Sequence, residues 1–71
     1  MNIHFTKYSE KKFDILNEHG VFFTKEEIEE TVKKPDKTDK KGRYLSARKE
    51  NIKVVYEKDE DVLKIITFYP V

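Results

Sequence analysis

The order of local patterns along this chain predicts an α+β domain, β-α-α-β-β-β, with two helices packed on one face of a small antiparallel sheet. Three observations carry that expectation. "FTKEEI" at 23–28 is a helix-opening capping box, and Pro35 closes the helix it opens. "NIKVVYE" and "VLKIITFY" are runs rich in β-branched and aromatic residues, separated by the turn "KDED". A length of 71 residues leaves room for one core, so 1–71 is read as a single domain.

The elements follow in order. Asn2 to Thr6 alternates, with Ile3 and Phe5 on one side and His4 on the other, which suits a short first strand. From Lys7 to His19, Tyr8, Phe13, Ile15 and Leu16 fall on a broad helical stripe, and "HG" at 19–20 reads as a C-cap with Gly20 in the left-handed position. The second helix, 24–34, takes Thr24 as N-cap and Glu27 at N3, with Phe23 and Ile28 spaced as a hydrophobic staple. Glu26, Glu27, Glu29 and Glu30 fill its first turns while Lys33 and Lys34 end it, both favoured by the helix macrodipole. A helix start explains those glutamates better than a metal site does. Asp36 to Gly42 reads as a polar loop, and "RYLSAR" as the next strand.

The last two strands are expected at 51–57 and 62–69. A four-residue loop from Lys58 to Asp61 sets Glu57 opposite Val62 and Val54 opposite Ile65. One face then carries Ile52, Val54, Leu63 and Ile65 for the core. The other carries Lys53, Val55, Lys64, Ile66 and Phe68, uncovered by any remaining helix.

Composition narrows the chemistry. With 37% hydrophobic and 41% charged residues the core must be thin, and nine Phe and Tyr rings help to fill it. The chain has no cysteine and two histidines, which excludes disulfides, a thiol nucleophile and thiolate metal sites; neither a metal nor a cofactor is expected. No apolar run approaches a membrane span and no signal-peptide h-region opens the chain, so a soluble cytoplasmic protein is expected. Charge is uneven. The whole chain carries +1, yet Lys33 to Lys49 holds eight Lys or Arg against two Asp, a local excess of +6.

"IHFTKYSEKKFDILNEHGVFFTKEEIEETVKKPD" followed by "IKVVYEKDEDVLKIITFYP" resembles a family of small bacterial and archaeal domains of unknown function. That family is related to the RelE/ParE-like toxin superfamily, which includes BrnT-like toxins. The resemblance covers nearly the whole chain and rests on "EEIEETVKKPD", "KVVYE" and "ITFYP" in that order. The chain departs from the family outline at Tyr8-Ser9, where His-Ala is frequent, and at His19-Gly20, where Arg-Gly is usual. Roles tied to those positions are therefore not carried over. The resemblance implies a RelE-like fold, RNA or the ribosome as target, and a cognate antitoxin protein as partner. In the nuclease branch it implies RNA on the open sheet face and attack by the 2′-hydroxyl on the neighbouring phosphate, without metal. Gyrase poisoning, also known in the superfamily, leaves no mark in this sequence.

Candidate residues each carry two readings. Arg43 and Arg48 flank the first strand of the predicted meander; they clamp phosphate in an RNA-binding reading, or discourage edge aggregation as solvated charge. Lys53 and Lys64 steer an RNA strand across the open face, or only keep that face soluble. Tyr69 supplies proton transfer or base stacking, or else closes the edge of the core, where Tyr56 is also expected. His19 is a general acid or base at a helix C-terminus, or simply a cap. The catalytic set is thus Arg48, Tyr69 and His19, and the RNA-binding set Arg43, Arg48, Lys53 and Lys64. "PDKTDKKG" reads equally as a phosphate-binding lid, an antitoxin-binding element or an ordinary loop. Two functions follow: an RNA-interacting toxin-type domain with metal-independent ribonuclease chemistry, or a non-catalytic protein-binding module on the same fold.

Overall fold

The computed structural model describes residues 2–71. β1 (Asn2–Phe5) leads into α1 (Lys7–Glu18) and α2 (Lys25–Lys33), followed by β2 (Lys37–Lys41), β3 (Tyr44–Lys49), β4 (Ile52–Asp59) and β5 (Val62–Pro70). Among these residues the strands form one sheet, ordered β1-β5-β4-β3-β2. The architecture is α+β, with α1 against β5 and β1 and α2 against β4 and β3.

Local sequence sets both helices. Thr6 caps α1, its hydroxyl accepting from the Ser9 N–H at 3.2 Å. Gly20, at φ +78°, ends it in the left-handed region that glycine adopts without strain. The Thr24 box forms in full: Glu27 N–H donates to the Thr24 hydroxyl at 3.1 Å and Thr24 N–H donates to the Glu27 carboxylate at 3.0 Å. The buried face of α1 centres on Ser9 and Leu16, with Phe13 partly buried between them. Tyr8 and Ile15, expected on the same stripe, are 66% and 48% exposed because they flank that centre line. Ser9 is tolerated inside because its hydroxyl donates to the Thr6 carbonyl at 2.8 Å; Thr31 of α2 likewise donates to the Glu27 carbonyl at 2.8 Å.

The sheet departs from expectation in three ways. First, the predicted loop at 36–42 contains β2, which pairs antiparallel with β3 from Lys37↔Arg48 to Lys41↔Tyr44. All five β2 side chains are exposed, so pairing to β3 makes this a strand and no apolar alternation announces it. Gly42, at φ +61°, opens the two-residue turn.

Second, the sheet is mixed. β1 runs parallel to β5, and the ladder extends through Asn2 N–H to the Asp61 carbonyl and Thr6 N–H to the Ile65 carbonyl. The chain crosses one face through both helices and meanders back from the far edge. Its last strand thus enters beside the first in the same direction, which a crossover connection permits and a hairpin does not.

Third, the β4–β5 hairpin turns on Glu60 and Asp61 alone, so Asp59 opposes Val62 and Tyr56 opposes Ile65. This shifts the expected register by two, which keeps every side chain on its expected face. A bulge then intervenes: Tyr56 pairs with Ile65 but Val55 pairs with Thr67, leaving Ile66 as the extra residue. Beyond it the faces of β5 exchange. Phe68, expected on the open face, is fully buried opposite Val54, its ring centroid 4.6 Å from that of Phe13 and 6.3 Å from that of Phe23. With Ile28, Val54 and Ile65 it forms the centre of the core, and Tyr56 lies in the same cluster as expected.

Candidate nucleic-acid interface

Because Ala47, Val54 and Phe68 face the helices, the alternate residues of β2 to β5 face the other way, where no helix covers them. The registers arrange these side chains in rows. Lys37 opposes Arg48, Arg48 opposes Lys53, and Lys53 opposes Tyr69. Adjacent strands lie about 4.8 Å apart, so this row of three cations and a tyrosine spans about 14 Å. Among the described residues, none of the three cations forms an ion pair.

The next row is Asp39, Ser46, Val55 and Thr67, and beyond it lies Lys41, Tyr44, Glu57, Lys64 and His4. Between the outer rows is a hollow of about 180 Å³ lined by Asp39, Tyr44, Ser46, Lys53, Val55 and Tyr69. Asp39, Ser46, Lys53 and Tyr69 also border a second hollow of about 370 Å³ with Lys37, Arg48 and Val71.

The sequence-predicted residues divide. Arg48, Lys53 and Tyr69 come together, and Tyr69 stands on the open face because the Ile66 bulge turns it there. Arg43 sits in the β2–β3 turn with a partner already: its Nε is 3.3 Å from Glu57, its guanidinium lies 5.3 Å from the Tyr44 ring centroid, and Nη2 donates to the Tyr44 hydroxyl at 3.4 Å. That hydrogen bond first, then the charges of Tyr44 and Glu57, raises the guanidinium above its usual pKa. Lys64 shares the open face but pairs with Asp59 at 3.3 Å. His19 stands apart, capping α1 among the helices with its N–H donating to the Leu16 carbonyl at 3.0 Å. Neither hollow is bordered by an imidazole.

Lys37 and Lys41 are the residues that sequence reasoning missed, since both were assigned to a loop. The +6 segment was the available signal: folded back as a hairpin, it delivers Lys37, Lys41 and Arg48 to one surface.

A cluster of carboxylates lies away from this face, on α2. Glu26, Glu27 and Glu30 of α2 border a hollow with Lys49 and Glu50. The Lys49 ammonium, 3.2 Å from Glu30, holds that carboxyl below its usual pKa by hydrogen bond and charge. A polyanion is thus attracted to the sheet face and finds no comparable row of cations beside the α2 carboxylates. Among the described residues, no group of three or more His, Cys, Asp or Glu is placed to hold a metal ion, and no helix is long and apolar enough to cross a membrane. Comparison with protein-family models, curated proteins and solved structures finds no match to this chain.

Proposed function

We propose that the open sheet face binds single-stranded RNA, with phosphates on the row Lys37–Arg48–Lys53 and bases against Tyr69 and Tyr44. The observation that carries this reading is the row itself. Like charges directly opposite on adjacent strands destabilise a sheet. Three unpaired cations in succession are therefore a cost to the fold that a bound polyanion offsets. Phosphates supply that partner, and release of their counterions adds driving force. Tyr69 at the end of the row and Tyr44 across the hollow offer ring faces on which bases stack, worth about 1–3 kcal/mol per base.

The RelE-like toxin type, the ribosome or free RNA as target and a cognate antitoxin as partner belong to the same proposal, supported by the motif resemblance and the basic face. In a cleavage reaction the RNA's 2′-oxygen forms a bond to the adjacent phosphorus as the 5′-oxygen leaves. Arg48 would stabilise charge on the phosphate oxygens, and Tyr69 would exchange a proton with an attacking or leaving oxygen. One observation favours binding without cleavage: His19 lies away from Arg48 and Tyr69, so the row lacks the usual proton-transfer group.

The test is incubation with RNA, alone and with ribosomes, with and without EDTA, beside a DNA control. Binding with or without EDTA-resistant, RNA-only cleavage is the expected result. Cleavage that EDTA abolishes, or that extends to DNA, contradicts the 2′-hydroxyl chemistry. If RNA neither binds nor is cut, the non-catalytic protein-binding module becomes the better account.

A further inference from the structure

On a face suited to a polyanion, one residue is out of place. Asp39 sits in the middle row, opposite Ser46, between the row of cations and the row of Lys41 and Tyr44. It lines both hollows. Among the described residues its carboxylate forms no ion pair despite the lysines around it; Oδ1 accepts a hydrogen bond from the Lys40 N–H at 2.8 Å. A carboxylate here repels phosphate, so neutralising the cations does not account for it. It retains free lone pairs on both oxygens.

The surroundings define what such a carboxylate accepts. Tyr44 and Tyr69 line the hollow, Val55 gives it apolar surface, and the Ser46 hydroxyl can donate beside the carboxylate. Those are the parts of a nucleobase site: ring faces to stack on, and polar groups that meet a Watson–Crick edge. Among the four bases, guanine alone presents two adjacent donors there, N1–H and the N2 amino group, which a carboxylate accepts as a bidentate pair. Its neighbouring O6 is an acceptor suited to the serine hydroxyl. Adenine and cytosine offer a single amino group beside an acceptor nitrogen, which faces the carboxylate unfavourably, and uracil's one N–H lies between two acceptors.

We infer that the hollow between Tyr44 and Tyr69 is a guanine subsite, in which Asp39 accepts from N1–H and N2–H, Ser46 donates to O6, and Lys53 holds the adjoining phosphate. The inference rests on the RNA-binding reading of this face and adds base selectivity to it. The Lys37–Arg48–Lys53 row supplies affinity for any strand, and Asp39 sets which base sits in the hollow.

The experiment uses labelled U-rich single-stranded RNA containing one central guanosine, and matched probes with inosine or adenosine there. Inosine keeps N1–H and O6 but lacks the N2 amino group. A hydrogen bond to a charged group is worth about 1.5–3 kcal/mol, so the guanosine probe should bind the full chain at least about tenfold more tightly than the inosine probe. The adenosine probe should bind at least as weakly as inosine. Asp39→Asn keeps the oxygen that accepts from Lys40 N–H and should erase the preference, with the inosine and adenosine probes bound at least as tightly as by the wild-type chain because a charge that repels phosphate is gone. Equal affinity of the wild-type chain for all three probes, with ordinary salt dependence, overturns the guanine subsite and leaves the RNA-binding reading standing. A preference that persists in Asp39→Asn overturns the role of this carboxylate. Failure to bind any probe overturns the RNA-binding reading and the subsite with it.

Discussion

Truncating Phe68 and its neighbour Tyr69 should give opposite results, because the Ile66 bulge points one into the core and the other onto the open face. Phe68 is fully buried and lies within 6.3 Å, centroid to centroid, of both Phe13 and Phe23. Removing a buried phenylalanine ring costs about 3–5 kcal/mol. A core in a chain this short supplies about 3–5 kcal/mol in all, so Phe68→Ala should be largely unfolded at 25 °C. Phe68→Leu keeps most of the volume and should lose about 1–1.5 kcal/mol, which leaves a measurable transition. Tyr69 is only partly buried, and Tyr69→Ala should cost within about 1 kcal/mol while weakening RNA binding. Urea unfolding followed by circular dichroism reads both. If Tyr69→Ala destabilises more than Phe68→Leu, or Phe68→Ala leaves the midpoint unmoved, the reasoning from the bulge is refuted.

Three further outcomes are expected. Thr24→Ala removes the capping-box hydroxyl and should lower stability by about 1 kcal/mol in the same urea assay. Lys53→Glu converts its unfavourable cross-strand pair with Arg48 into a favourable one; it should raise stability by about 0.2–1 kcal/mol and at the same time depress RNA affinity, a trade readable by unfolding and titration of one sample. Burial holds the Tyr56 phenol above its ordinary pKa of 10.0. The folded chain therefore keeps this proton where the unfolded chain has begun to release it, so stability should fall as pH rises past about 10, and less steeply in Tyr56→Phe.

Both helices were legible in the sequence because their ends carry chemistry: Thr24 with Glu27, Gly20, and Pro35 all act locally. The β-branched runs of β4 and β5 were legible for a similar reason. β2 was not, since Lys37 to Lys41 has neither apolar alternation nor β-branched content beyond Thr38, and its strand geometry comes from β3. The hairpin register was hidden because Glu60, at φ +55°, occupies a turn position where glycine or asparagine is the usual signal. The bulge at Ile66 likewise has no glycine to mark it, which is why Phe68 was assigned to the wrong face. At the candidate site, Arg48 and Lys53 could be named from charge alone. Their alignment with Lys37, and the place of Asp39 among them, depends on the registers of the β2–β3 and β3–β4 hairpins, and β2 carried no strand signal. His19 drew notice through its residue type and its helix-end position, neither of which brings it to the sheet face.

The central claim is that Lys37, Arg48 and Lys53 act together as a phosphate-binding row. The most direct measurement is the affinity for labelled single-stranded RNA as a function of salt, by fluorescence anisotropy. Three phosphates neutralised on a single strand give a slope of about −2 in log affinity against log salt, at about −0.7 for each. Replacing Lys37, Arg48 or Lys53 singly by Ala should make the slope shallower by about 0.7, whereas Arg43→Ala, which removes a cation already paired with Glu57, should change it far less. Binding that does not respond to salt, or slopes that stay the same in all three row variants, would contradict the account.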